Sequence, residues 1–412
     1  MTGSRRAFLG YTLLTGMTVL AGAAGLRGIR FPPLQFEPEG SPRVARHSVL
    51  SFTAQGSGAY FQREDEEQLV WRAYVPEPVL LASGGFALRV GNIHPEAQLS
   101  VEDKVTGLSE TTEGLFRHVT GSTDGGEAIL RWVLPHRDSY RFTAIGDTGG
   151  DRELAWALER SRQLGAHFLL HLGDLYYQPG DYDSAVTILD GAPLPVYTAV
   201  GNHDLHRGLD WSLADRFVTG IGPTNSTFQL GGIQFINLDT ALDTVPWSGG
   251  ERGRLLRALP TLEGNPGIRD YVVFAHRPIN DPRPETERPS DHSIEGLGED
   301  NWLYTELARR GVRNVLNGHI HGNFEAQDRQ FNVWISGEGL AHLDIVQGRQ
   351  VARILVGDVN PGLAVDYHWE ALSMPFEFHC NSRLRNDMAK YTGHFEQQLE
   401  RLEQICGKAK ET

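Results

Sequence analysis

Phe168-Leu169-Leu170-His171-Leu172-Gly173-Asp174-Leu175-Tyr176-Tyr177 is an apolar run that breaks at a glycine and passes straight to a carboxylate. A short, nearly continuous apolar run suits a strand buried on both faces, as in a parallel sheet. The same form recurs along the chain. Phe142–Ile145 leads into Gly146-Asp147-Thr148-Gly149, and Val196–Val200 into Gly201-Asn202-His203-Asp204. Tyr271–Ala275 leads into His276, and Asn314–Leu316 into Gly318-His319-Ile320-His321. Ile233–Leu238 reads as a further strand, while Arg152–Leu164, Arg252–Leu262 and Glu299–Arg310 read as helices. Strands alternating with helices give an α/β class, extending over residues 141–360.

In open α/β sheets, ligands collect outside the carboxyl ends of the strands. Five polar clusters, each ending its own strand, are therefore expected to meet. Their Asp, Asn, Tyr and His side chains offer hard oxygens and imidazole nitrogens, which is a metal-binding set. A lone Gly-Asp is a turn and a lone His-x-His a surface pair; five together are a metal site. Glycines before Asp147, Asp174, Asn202 and His319 fit a chain that leaves its strand abruptly with backbones in close approach.

The rest of the 412-residue chain is organised around this region. Arg5-Arg6-Ala7-Phe8-Leu9 followed by a mild apolar run has the form of a twin-arginine signal peptide over residues 1–26, with Ala21-Gly22-Ala23 as cleavage site. Export to the periplasm or beyond is expected, by way of the twin-arginine machinery, with a membrane anchor as the outcome if the signal is retained. Residues 27–47, rich in Pro and Glu, read as a linker. Residues 48–140 carry β signals separated by Gly/Ser/Thr/Asp clusters and read as a small β-sandwich, in which His94 and His118 have packing or surface roles. Residues 361–412 form an extension whose helix near Leu384–Ile405 bears a stripe of Met388, Tyr391, Phe395, Leu399 and Leu402. That stripe suits packing on the protein's own surface or a homodimer contact. Cys380 and Cys406 flank this helix; if it is continuous, about 36 Å of helix separates them, so free or intermolecular thiols are expected. A net charge of −14 with no Lys/Arg block argues against a nucleic-acid face. Bound metal ions still allow a phosphate ligand.

The order of motifs from Arg141 to Asn323 is similar to that of the calcineurin-like metallophosphoesterase superfamily, and it resembles the purple acid phosphatase branch. Gly149, where many members have a histidine, and Tyr177, three residues after the second aspartate, point to that branch. The resemblance implies an α/β sandwich of metallophosphoesterase type, two mixed sheets flanked by helices, preceded here by the β-rich domain. It implies two metal ions bridged by Asp174. Fe(III) would be held by Asp147, Asp174, Tyr177 and His321, and a divalent Zn, Fe or Mn ion by Asp174, Asn202, His276 and His319.

The implied activity is hydrolysis of a small phosphate monoester, in acid-phosphatase fashion, by a hydroxide formed on the metals. Asn202 and His203 would bind the phosphoryl group, and His203 would alternatively protonate the leaving group. Asp204 would orient His203 or brace its loop. His292 is placed as a second outer histidine or a surface residue, with His206 as another candidate. Arg207 and Arg277 would meet the substrate phosphate or pair on the surface, and His167 and His171 would pack. Two other readings stay open: a phosphodiesterase acting on nucleotides or phospholipid headgroups, and a non-catalytic envelope protein stabilised by its metals.

Overall fold

The computed structural model describes residues 44–205, 210–241, 248–283, 292–294, 300–380 and 396–408. The signal segment, nearly all of the linker, His206, Arg207, Met388, Tyr391 and Phe395 lie outside these residues. Among the described residues no helix is long and apolar enough to cross a membrane.

The chain opens with eight strands: β1 (Val44–Arg46), β2 (Thr53–Ser57), β3 (Ala59–Glu64), β4 (Leu69–Ala73), β5 (Val79–Gly91), β6 (Gln98–Glu102), β7 (Val105–Glu113) and β8 (Phe116–Val133). Hydrogen bonding is continuous through all of them, with β8 pairing β5, β6 and β7. Asn92, just after β5, ties this layer to the chain around Val196. Its amide donates to the carbonyls of Ala73 (2.8 Å) and Val196 (2.9 Å) and accepts from Val196 N–H at 2.9 Å.

Two further sheets complete the layers. The first has the order β11-β10-β9-β18-β19, from β9 (Tyr140–Ile145), β10 (Phe168–His171), β11 (Val196–Thr198), β18 (Arg353–Val359) and β19 (Asp366–Ala371). The second has the order β12-β13-β14-β15-β17-β16, from β12 (Ser226–Leu230), β13 (Ile233–Leu238), β14 (Asp270–Ala275), β15 (Asn314–Asn317), β16 (Asn323–Asp328) and β17 (Phe331–Ser336). β9, β10 and β11 are parallel, as are β13, β14, β15 and β17, and antiparallel strands close the edges.

Successive side chains of a strand point to opposite faces, and the core obeys this alternation. Phe142 and Ala144 face the layer between the two sheets, whereas Ile145 faces the helices outside. In the central layer Phe142 stacks on Phe168 at 5.6 Å between ring centroids, and Phe235 from the opposite sheet meets both rings edge-on at 5.4 and 5.7 Å. The same apolar cluster continues into Trp71 and Trp132 of the N-terminal sheet.

Helices α1 (Arg152–Gln163), α2 (Asp181–Asp190) and α3 (Trp211–Gly220) cover the outer face of the first sheet. Helices α4 (Gly250–Ala258) and α5 (Asp300–Arg309) cover that of the second. The architecture is thus the expected α/β sandwich of two mixed sheets flanked by helices, with a β-rich region before it.

A short helix, α6 (His342–Gln347), and a C-terminal helix, α7 (Glu396–Lys408), complete the chain. Here the cysteine expectation is corrected. Cys380 and Cys406 are joined in a disulfide with 5.4 Å between Cα atoms. The expectation assumed one continuous helix between them. Instead Cys380 ends a 3-10 turn, Phe376–Cys380, that packs beside α7, with Ile345, Leu402 and Cys406 in one small apolar cluster. Closing a loop of 26 residues is worth about 3 kcal/mol in the chain-entropy account. Cys380→Ser is therefore expected to lower hydrogen-exchange protection of residues 396–408 by about 100-fold while leaving the sandwich intact. Unchanged exchange in that helix would rule the clamp out.

Candidate metal centre

Both sheets end at the same place. From the first come Asp147 after β9, Asp174 and Tyr177 after β10, and Asn202 and His203 after β11; from the second come His276 after β14 and His319 and His321 after β15. The departure from each strand is abrupt. Asp147, Asp174 and His319 all have left-handed backbones, with φ of 61°, 63° and 65°. Few non-glycine residues tolerate that region, and such strain gathers where the surroundings impose it.

The loops that hold these residues nearly touch. Asp147 N–H donates to the Gly173 carbonyl (2.9 Å), Gly149 N–H to that of Asp174 (3.0 Å), and Gly146 N–H to that of Ser336 (2.8 Å). Glycine is obligatory where they meet. A Cβ on Gly201 would stand 2.0 Å from Asp174 Oδ1, and one on Gly173, at φ 95°, would stand 2.7 Å from His276 Nδ1.

Asp147, Asp174 and His276 are fully buried or nearly so, and each offers a donor atom within 4.8 Å of the other two. His276 Nδ1 lies 2.8 Å from the Leu172 carbonyl, which makes it the donor nitrogen and turns the lone pair of Nε2 inward. Around that Nε2 stand Asn202 Oδ1 at 2.8 Å, His319 Nδ1 at 3.2 Å and Asp174 Oδ1 at 3.4 Å. Donors sharing one ion at bond lengths near 2.0–2.2 Å sit roughly 3.0–3.5 Å apart, so this group has the spacing of a coordination shell. His321 Nε2 lies 3.5 Å from Asp147 Oδ1. Asp147 Oδ1 is buried with no hydrogen-bond partner, a costly state for a carboxylate that a cation would relieve. The residues fit a pair of metal ions.

The electrostatics agree with a site built for positive charge. Burial lowers the pKa of His276, but the adjacent Asp174 carboxylate more than offsets this and raises it to about 9. Burial works against an ionised Asp174, while His276 holds its pKa below the usual carboxylate range.

Not every sequence assignment takes the role expected of it. His203 is exposed, its ring 4.7 Å from that of Tyr177, and its N–H donates to Asp174 Oδ1 at 3.0 Å. His292 also comes to the centre, its ring 5.4 Å from that of His319. Asp204 braces its loop, the second of the two roles expected of it. Its buried carboxylate accepts from the backbone N–H groups of Gly201, Asp174, Leu175 and Tyr176 at 2.8–2.9 Å, so it pins two ligand loops together rather than orienting His203. Arg277 is likewise buried rather than presented to substrate. Its N–H donates to Thr240 Oγ1 at 2.8 Å, and its guanidinium donates to the Ser293 carbonyl, bracing the segment that carries His292. His171 packs as expected. Burial lowers its pKa to about 3, and its Nε2 lies 2.8 Å from Thr148 Oγ1.

Sequence reasoning missed the sixth strand end. β17 ends at Ser336 and is followed by Gly337-Glu338-Gly339, the same glycine–acid form as at the other strands, with His342 close behind. Glu338 is buried, and His342 Nδ1 lies 3.1 Å from His321 Nδ1. The repeated form was the available signal.

Residues 140–323 match the family model for the calcineurin-like phosphoesterase. No curated protein matches the chain in sequence. Among solved structures, a dimetal phosphatase from Danio rerio is 12% identical with a TM-score of 0.40, over 57% of this chain and 96% of that one. PhoD is 11% identical with a TM-score of 0.39, over 77% and 92%. A novel archaeal phosphodiesterase is 13% identical with a TM-score of 0.30, over 56% and 99%. By this match, residues 140–323 of the chain are similar to a calcineurin-like phosphoesterase domain.

Proposed function

We propose that the protein is an exported phosphomonoesterase of purple-acid-phosphatase type, with seven ligands in two sets that share Asp174. Asp147, Asp174, Tyr177 and His321 would hold Fe(III); Asp174, Asn202, His276 and His319 would hold a divalent ion. The observation that carries this reading is the meeting of Asp147, Asp174, Asn202, His276, His319 and His321 at one end of the two sheets. A phenolate is a hard, strong donor suited to a trivalent ion, and the neutral Asn202 amide leaves less negative charge at the divalent position.

When bound, the ions supply a nucleophilic water at mild pH and neutralise the phosphoryl oxygens. The chain's own side chains supply the rest. Asn202 and the exposed His203 face incoming substrate, and a ring nitrogen of His203 delivers a proton to the departing oxygen. The Tyr177 ring, 4.7 Å away, limits where His203 can turn. His292 borders the opposite side, beside His319. Export is supported by the twin-arginine form of residues 1–26 and by the Cys380–Cys406 disulfide, since such bonds persist in oxidising compartments.

The test is the visible absorption of the as-isolated protein beside Tyr177→Phe, with turnover of p-nitrophenyl phosphate and its bis-ester. A band present in the wild type and absent in the variant, together with faster monoester turnover, is expected. A colourless iron-containing wild type would remove Tyr177 from the ligand set, and faster turnover of the bis-ester would overturn the monoesterase assignment.

A further inference from the structure

A histidine that ligates a metal through one ring nitrogen generally hands its other N–H to an acceptor, which fixes both tautomer and ring orientation. For His276 that acceptor is the Leu172 carbonyl. For His321 it is another histidine. His321 Nε2 points to Asp147 Oδ1, while its Nδ1 lies 3.1 Å from His342 Nδ1, the two rings 5.2 Å apart between centroids.

Two imidazole nitrogens can share a hydrogen bond only if one carries the proton. A lone pair on Nε2 of neutral His321 places its proton on Nδ1, which then donates to His342. His342 in turn must carry its own proton on Nε2, an atom that is buried with no hydrogen-bond partner. We propose that His342 is a positioning residue for the metal centre, holding His321 in the tautomer and orientation that ligation at Nε2 requires. This rests on the two-metal reading given above.

His342 is itself firmly placed. It begins α6, which Glu338 starts by accepting from Leu343 N–H through its carboxylate (3.1 Å) and from Ala341 N–H through its carbonyl (2.8 Å). Asp344 Oδ1 ties the same helix to the next segment through the N–H groups of Val351 and Ala352, at 2.6 and 2.7 Å. The disulfide-clamped α7 covers it, with Ile345 against Leu402 and the Arg401 guanidinium donating to the Gly348 carbonyl at 3.1 Å. Helix α7 thus supports, through α6, a ligand more than 50 residues before it in the chain.

The experiment titrates metal-free protein with Zn²⁺ against a chromophoric chelator. It compares wild type, His342→Leu and His342→Gln, the last of which keeps an acceptor oxygen. Wild type is expected to bind two ions. His342→Leu should bind one of them about 10- to 100-fold more weakly and the other unchanged, while His342→Gln recovers most of the loss. Two unaltered affinities in a folded His342→Leu would overturn the inference and leave the two-metal reading standing. A wild type that binds fewer than two ions would overturn that reading, and the inference with it. If His342→Leu does not fold, ¹⁵N-histidine labelling of zinc-loaded wild type decides the matter. Coupling between the Nδ1 nuclei of His321 and His342 across the bond is expected, and its absence would refute the proposal.

Discussion

Asp174→Asn is expected to reduce phosphate-ester turnover by at least about a thousandfold and to empty both metal positions at once. The substitution preserves shape, and an amide oxygen can still accept the His203 N–H that now lies 3.0 Å from Asp174 Oδ1. What it removes is the one negative charge common to the two donor groups. One group centres on His276 Nε2, 3.4 Å from Asp174 Oδ1, and the other on Asp147 and His321. Paired ions contribute several kcal/mol to stabilising a phosphoryl transition state, and each 1.36 kcal/mol is tenfold in rate. Elemental analysis of the purified variant checks the structural half of the prediction and a p-nitrophenyl phosphate assay the kinetic half. By contrast His276→Ala should lose a single ion, because in the proposed ligand sets His276 serves one group only. Two ions retained per chain in Asp174→Asn would show that Asp174 is not the bridge.

The two effects differ because of what the sandwich brings together, and most of that was legible in the residues. Strands such as Phe168–His171 and Asp270–Ala275 are buried throughout, so their apolar runs stand out without knowledge of partners. Their glycine-terminated polar ends mark the carboxyl side of the sheets. Less legible were contacts that depend on which strand lies beside which. β18 inserts antiparallel beside β9 more than 200 residues further along the chain, and no local pattern encodes that choice. Helix α2 follows Gly180 with no side-chain cap, so it lacked a start signal. Asp204 and Arg277 looked like chemistry because they adjoin ligands, yet burial turned both toward backbone groups. The cysteine pairing failed as an expectation because it relied on helix length, whereas the two Cα atoms lie 5.4 Å apart. His342 stayed hidden for the same kind of reason. Its importance is a distance to His321, 21 positions away, and not a motif.

Asp204→Ala should destabilise the protein more than any ligand substitution, because the loss lies in the scaffold and not in the chemistry. The carboxylate is wholly buried and accepts four backbone N–H groups, from Gly201, Asp174, Leu175 and Tyr176. Alanine would leave those donors without that acceptor. A buried backbone group left unpaired costs about 1–3 kcal/mol, so a loss above about 4 kcal/mol is expected even if local relaxation rescues some of the four. Burial and the neighbouring Asp174 carboxylate push the Asp204 pKa up to about 8 while the Gly201 and Asp174 amides and His276 pull it down, so the pocket holds this carboxyl at a cost that the amide bonds must offset. Asp204→Asn should fall between: one oxygen remains to accept, but the amide nitrogen would confront two N–H groups. Urea unfolding of the metal-free proteins measures this without interference from ligand binding, as a lower midpoint at unchanged slope. Tyr182, whose hydroxyl donates to the Asp204 carbonyl at 2.6 Å, would not make up the deficit, since it meets the backbone and not the carboxylate. If Asp204→Ala instead kept its stability within about 1 kcal/mol while turnover fell more than a hundredfold, a residue acting directly with His203 would be the better description. The four amides argue for the first outcome, because they already account for every direction in which that carboxylate points.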